Sequence, residues 1–187
     1  LAPYGKGEVS GGVAATRLWR WNEEELVSYA DRSCYETRFF WADPDVFQVF
    51  TWPLSKGDPE TALVAPNTVV LTRTTAQKYF GAKDPVGKSL RVGGKAEFQV
   101  TGVLEELPAN SHLHFDFLAS SSTRKIDEKG KNAYWRNNNY YTYLLLQEDA
   151  VPEQVVERIG EIVERNAGEL LQSVSLTYRF DLQPLID

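Results

Sequence analysis

An α+β fold is predicted for this chain of 187 residues, and three observations carry the prediction. Strand-like stretches, rich in β-branched and aromatic residues, outnumber helical ones. Helical patterns at Arg73 to Phe80 and Pro152 to Ala167 fall between those stretches rather than in a block of their own. The C-terminal order of strand, helix and strand, over 140–147, 152–167 and 173–182, reads as one βαβ or split βαβ unit.

Each element has a local reason. Residues 1 to 15 are glycine-rich and read as a loop or a frayed helix end. Thr16 to Trp21 reads as a strand. Leu26 to Ala30 and Cys34 to Trp41 read as a hairpin pair, with a turn at Glu23 to Glu25 before it. Pro44 to Phe50 fits a short helix, with proline in its first turn and Val46, Phe47, Val49 and Phe50 as its apolar residues. Residues 52–65 read as irregular, broken by Pro53, Gly57 and Pro59. Thr68 to Leu71 is a buried strand. Thr72 can cap the helix from Arg73, and Gly81 can close it. Ser89 to Val92 and Ala96 to Leu104 make a hairpin around Gly93 and Gly94. His112 to Leu118 alternates as a strand does. Residues 120–139 are polar, and Tyr140 to Gln147 is an apolar strand. In the last helix, Val155, Val156, Ile159, Ile162 and Val163 form one stripe, Pro152 starts it and Gly168 stands just past its end.

Composition narrows the function. Hydrophobic residues make 42% and charged ones 25%, as in globular rather than disordered chains. A net charge of −6 disfavours duplex nucleic acid as a partner. The single cysteine, Cys34, makes no internal disulfide, and no apolar run approaches the length of a membrane span. A chain that opens on Leu1 and holds no methionine is expected to be a piece of a longer polypeptide.

Motifs for chemistry are sparse. Gly87-Lys88-Ser89 is not a phosphate loop: Ala82 stands where the first glycine belongs, and a strand follows where a helix is needed. His112, His114 and Asp116 sit two apart, so a strand would turn all three to one face, where imidazole and carboxylate can hold a divalent metal. The other reading is that both histidines bond loop backbone beside a sheet edge. No serine elbow, S-x-x-K or H-E-x-x-H motif occurs, so no enzyme is expected. Aromatic residues reach 12%. Trp41 and Trp52 sit among apolar neighbours and read as core. Trp19 and Trp21, which share a strand face with Arg17 beside them, and Trp135, in the polar stretch, are the candidate partner contacts.

Several stretches come in a recognisable order: Phe39-Phe40-Trp41-Ala42-Asp43-Pro44-Asp45-Val46-Phe47, Pro53-Leu54-Ser55-Lys56-Gly57-Asp58-Pro59 and Val69-Val70-Leu71-Thr72. After them come Ala76-Gln77-Lys78-Tyr79-Phe80-Gly81, Asp84-Pro85-Val86-Gly87-Lys88, Val100-Thr101-Gly102-Val103-Leu104 and Pro108-Ala109-Asn110-Ser111-His112. From about Val13 to its end the chain resembles the MacB-like periplasmic core domain of FtsX-like ABC transporter permeases, in the branch found in Bacteroidetes-type bacteria.

The resemblance implies a two-lobed domain at the periplasmic face of the inner membrane, between the first and second of four transmembrane helices. Residues 1–39 and 107–187 would form a porter-like βαβ lobe, with a mostly-β sabre-like lobe inserted at 40–106. It implies no catalytic residue and no cofactor in this domain, ATP being bound by a separate cytoplasmic domain or subunit. Pro44, Gly81, Pro85, Gly87 and Gly102 become fold-defining positions. The implied partners are the permease helices, the cytoplasmic ATPase, a second permease copy, and a periplasmic adaptor, lipoprotein or other substrate. The implied function is mechanical: an ATP-driven change is passed across the membrane to efflux, lipoprotein extraction or partner regulation. The alternative from another class is a free-standing carbohydrate- or ligand-binding module with Trp19, Trp21 or Trp135 as its platform.

Overall fold

Alternation along one short strand sets the architecture. In β4 (Phe39–Ala42), Phe39 and Trp41 join one apolar cluster, while Phe40 and Ala42 join another on the opposite face. A sheet apolar on both faces must be covered twice. The structure is a computed structural model that describes residues 11–20, 24–107, 111–124 and 139–185.

The strands are β1 (Gly12–Arg20), β2 (Glu25–Tyr29), β3 (Arg32–Glu36), β4, β5 (Leu54–Gly57), β6 (Thr68–Thr72), β7 (Ser89–Val92), β8 (Ala96–Leu104), β9 (Phe117–Ser120) and β10 (Tyr141–Leu146). They form one sheet in the order β10-β1-β4-β9-β6-β8-β7-β2-β3, with β5 paired to β8 off that path. β4 with β9 and β6 with β8 are parallel, and the other pairs are antiparallel. Nine-residue β8 serves two partners on one edge: its first half pairs with β7 and its last residues with β5. The β2–β3 hairpin lies at the far end, joined to β7. The mixed α+β class expected from the sequence is the one observed.

β6 is buried at all five positions, so it carries a continuous apolar run. Val69 and Leu71 face the first cluster and Val70 the second. The first cluster is closed by α2 (Arg73–Phe80), which sets Ala76, Tyr79 and Phe80 over Phe39, Phe98 and Phe117. Each fully buried aromatic or aliphatic side chain here contributes on the order of 2–3 kcal/mol. The helix starts where the sequence placed it. Thr72 Oγ1 accepts the Thr75 amide at 3.3 Å, and the Gly81 amide ends the helix on Gln77 O at 2.9 Å. The second face is covered by α1 (Val46–Val49), Phe50 and the residues up to Leu63. α3 (Pro152–Ser173) packs Val155, Ile159 and Ile162 on Leu144 and Leu146 of β10. Because Tyr143 points into the second cluster, alternation puts α3 on the same sheet face as α2.

Five sequence expectations are corrected. β1 begins at Gly12 rather than Thr16, because Gly12 through Leu18 find partners along β10. The stretch 34–41 is not one strand: it breaks after Glu36, and β4 pairs with β1 and β9 instead of β2. The supposedly irregular 52–65 contains β5, whose Gly57 sits at φ 92° where a Cβ would lie 2.3 Å from Thr101 O. Only glycine allows that approach. α3 passes through Gly168 to Ser173, because Ala167 and Leu171 prolong its buried stripe with Val163. It ends where Ser175 turns left-handed at φ 54° and the Leu176 amide reaches Leu171 O at 2.9 Å.

The fifth concerns the last limb of the βαβ unit. Residues 176–185 form no ladder among the described residues. Phe180 and Leu182 still pack on Val155, Ile159 and Ile162, and Tyr178 and Phe180 on Val163, Ala167 and Leu171. The strand-like alternation is therefore used against the helix rather than in hydrogen bonds. Among the described residues, no helix is long and apolar enough to cross a membrane.

Candidate functional site

Trp19 stands on β1 directly opposite Trp41 of β4. The Arg124 guanidinium carbon lies over both rings, 4.0 Å from the Trp19 centroid and 5.9 Å from that of Trp41. Burial of the guanidinium holds the Arg124 pKa below its ordinary value. Trp19 also meets Tyr140 at 5.7 Å, tilted by 50°. Tyr140 in turn lies 5.4 Å beneath the Arg17 guanidinium. The arrangement is a row of cations and aromatic faces, each attracted by the next ring's negative face.

Arg17 anchors the row. Its Nε and Nη2 donate to Asp43 Oδ2 and Oδ1 at 2.7 and 2.8 Å, with side-chain exposures of 11% and 10%. The Arg17 amide also donates to Oδ2 at 3.1 Å, and Ser121 Oγ to Oδ1 at 2.7 Å. The Asp43 amide returns a bond to Arg17 O at 3.2 Å. A carboxylate with four donors is fully used, which is the condition under which a buried charge is tolerated. Three separate segments meet at it: β1, the turn after β4, and the 3-10 turn Ser121–Thr123 after β9. Ser121 gives its hydrogen to a carboxylate and not to a histidine, so the cluster lacks an activated nucleophile. It can hold segments together.

A second clamp joins the far hairpin to the body. Glu36 of β3 is 6% exposed. Its Oε1 accepts from Lys78 Nζ at 2.6 Å and from the Tyr79 hydroxyl at 2.5 Å, both on α2. Lys78 is raised above its ordinary pKa, chiefly by the hydrogen bond to Glu36. Tyr79 is raised well above its own, first by burial and then by Glu36.

The metal candidates do not lie on a strand. β9 begins at Phe117, so His112 to Asp116 is not a strand. At Asp116 the amide donates to Arg38 O and the carbonyl accepts from the Thr72 amide. Asp116 Oδ2 accepts from Arg38 Nε at 2.8 Å, His112 Nε2 lies 2.8 Å from the Tyr143 hydroxyl, and His114 is exposed. Among the described residues, no group of three or more His, Cys, Asp or Glu is placed to hold a metal ion. Of the candidate contacts, Trp19 is half-buried under Arg124, while Trp21 and Trp135 lie outside the described residues. Asp43, Ser121 and Glu36 were not singled out by sequence. An aspartate before a proline at a helix start, and an arginine inside a strand, were the available signals for the Arg17–Asp43 pair.

Residues 6–162 match the family described as MacB-like periplasmic core domain. No curated protein matches the chain. Among solved structures, a domain of a permease protein from Porphyromonas gingivalis is 24% identical with a TM-score of 0.69, over 89% of this chain and 76% of that one. The periplasmic region of MacB from Actinobacillus actinomycetemcomitans is 13% identical with a TM-score of 0.59, over 92% and 83%. The extracellular domain of the ABC-type transporter YknZ from Gram-positive bacteria is 15% identical with a TM-score of 0.58, over 87% and 81%. With most of its length matched, this chain belongs to the MacB-like periplasmic core domains, the periplasmic part of MacB-like ABC transporter permeases.

Proposed function

We propose that this domain works as a stiff lever. Motion generated by ATP binding and hydrolysis in a separate cytoplasmic ATPase reaches it through the permease helices. It delivers that motion to a periplasmic event: expulsion of a substrate, extraction of a lipoprotein or regulation of a partner. A second copy of the permease domain moves against it. ATP is bound elsewhere, and this domain needs no cofactor of its own.

One observation carries the reading. Gly12 pairs with Leu146, and Leu146 and Leu182 both pack on the Val155, Ile159 and Ile162 stripe of α3. The chain therefore enters and leaves the fold at one end of a sheet that runs unbroken to the β2–β3 hairpin at the other. A displacement applied at that end moves the far hairpin as part of the same hydrogen-bonded body. The Asp43 and Glu36 clamps add cross-braces along its length.

The test uses the full permease with its ATPase in membranes. Spin labels replace Val13 near one end and Tyr35 at the other, both exposed. The distance between these labels within one copy is expected to stay constant through the ATP cycle, while distances between copies change. An intradomain change of several ångströms overturns the lever.

A further inference from the structure

Residues 177–182 have the pattern of a strand, yet they enter no ladder among the described residues. Tyr178, Phe180 and Leu182 are half-buried on α3, while Thr177, Arg179 and Asp181 alternate with them and are exposed. Arg179 Nε lies 3.5 Å from Asp181 Oδ2, a contact between side chains on one side of an extended chain. The segment runs back along the helix. Tyr178 packs on the Val163, Ala167 and Leu171 stripe, and Leu182 on the earlier stripe of Val155, Ile159 and Ile162. Leu144 and Leu146 of β10 rest on that same earlier stripe. The outer edge of β10 carries no charge, proline or glycine, and no strand pairs with it among the described residues.

We propose that residues 177–182 are a strap that closes onto the outer edge of β10 as a parallel strand and opens again as the permease works. The even-numbered side chains of both segments already face α3, so the strap has to slide, not turn over. Setting Phe180 beside Leu144 and Leu182 beside Leu146 keeps all four on their stripe. The same register puts Thr177 beside Tyr141 on the opposite face. The hand of the crossover is right as well. β10 runs opposite to β6, its outer edge lies on the side away from β8, and α2 and α3 share a face. The crossover through α3 therefore has the same hand as that from β6 through α2 to β8, as parallel connections require. Pro184 ends the ladder, since it has no amide to give. Ser175, left-handed at φ 54°, is the hinge. Closure changes the path of a load. With the strap open, side chains on α3 tie the chain's exit to the sheet. With it closed, the exit joins the hydrogen-bonded ladder that runs to the β2–β3 hairpin. The strap is a clutch on the lever, and it rests on that reading for its consequence. A failed strap leaves the Val13–Tyr35 label distance constant, whereas a failed lever changes that distance whatever the strap does.

Cross-linking in the full permease with its ATPase in membranes tests it. All other cysteines, Cys34 among them, are replaced by serine. Tyr141→Cys is combined with Thr177→Cys, both at exposed sites, and treated with a thiol reagent spanning about 5 Å, the spacing of neighbouring strands. Tyr141→Cys with Asp181→Cys is the control, because four residues along a strand displace the second thiol by about 13 Å. The first pair is expected to cross-link within one chain at least about threefold more than the control. Its yield is expected to change by about twofold or more between the nucleotide-free state and a non-hydrolysable ATP analogue. Equal yields for the two pairs overturn the proposal, as does a first-pair yield indifferent to nucleotide. Hydrogen exchange on the unsubstituted permease gives an independent reading. Alternate amides in 177–182 are expected to be slow in one nucleotide state and fast in the other. Fast exchange in both states means that the strap never closes, and slow exchange in both means a fixed strand; either result overturns the clutch.

Discussion

Arg17 and Asp43 meet side by side, Nε on Oδ2 at 2.7 Å and Nη2 on Oδ1 at 2.8 Å, in a pair almost closed to solvent. Replacing Asp43 by Asn turns one acceptor into a donor that faces the guanidinium. Asp43→Asn is expected to cost about 3 kcal/mol of stability, because it leaves a buried cation without its counter-charge. Arg17→Lys loses the two-point geometry and costs about 1–2 kcal/mol. Urea unfolding at pH 7 measures both, and an Asp43→Asn midpoint equal to wild type would remove the clamp from consideration.

The Glu36 clamp gives a pH signature. Tyr79 is held above its ordinary value of 10.0 and Lys78 above 10.5. A raised folded-state pKa means that the stabilisation is complete below the ordinary value and is lost as pH climbs past it. Stability from this source is therefore flat from neutrality to about pH 10 and falls beyond. Tyr79→Phe is less stable than wild type at pH 8, and the gap narrows by pH 11. A gap that stays constant across that range excludes Tyr79 as the titrating group.

Thr16 is fully buried, and its Oγ1 has no hydrogen-bond partner among the described residues. Thr16→Val keeps the shape and removes the orphaned hydroxyl. It is expected to stabilise by about 1 kcal/mol, read as a rise in the urea midpoint with unchanged slope.

Gly57 and Gly102 face each other across β5 and β8. Gly57→Ala forces a Cβ into Thr101 O at a positive φ and is expected to cost about 3 kcal/mol. Gly94→Ala, in an open turn with nothing within 4 Å, serves as the control and costs about 1 kcal/mol. Equal effects would show that the close approach at Gly57 carries no penalty.

Legibility in the sequence followed the range of the interaction. α2 was readable because its cap, Thr72, and its stop, Gly81, are neighbours of the residues they serve. The hairpin around Gly93 and Gly94 was readable for the same reason. β5 was not: its partner lies some 45 residues away on β8, and its glycine looked like a breaker when it is a contact. The break after Glu36 was hidden because Phe39 to Trp41 is as strand-like as Cys34 to Glu36. Only pairing with Phe117 to Ala119 shows that it belongs elsewhere. The site divides in the same way. Trp19 was visible as an aromatic on a strand, but the union of Arg17, Asp43 and Ser121 spans the chain and leaves no local spacing to read. His112, His114 and Asp116 had the right spacing, yet the β9 ladder begins only at Phe117, and the side chain of Asp116 is taken by Arg38 on a segment 78 residues away.

Gly12 pairs with Leu146, and Leu146 and Leu182 share one stripe of α3, which has an engineering consequence. A fold whose way in and way out share one corner can be spliced into a surface loop of an unrelated host without prising that host apart. The same corner is where a short peptide tie could make a circularly permuted version, reopened at the distant Ala30–Asp31 turn.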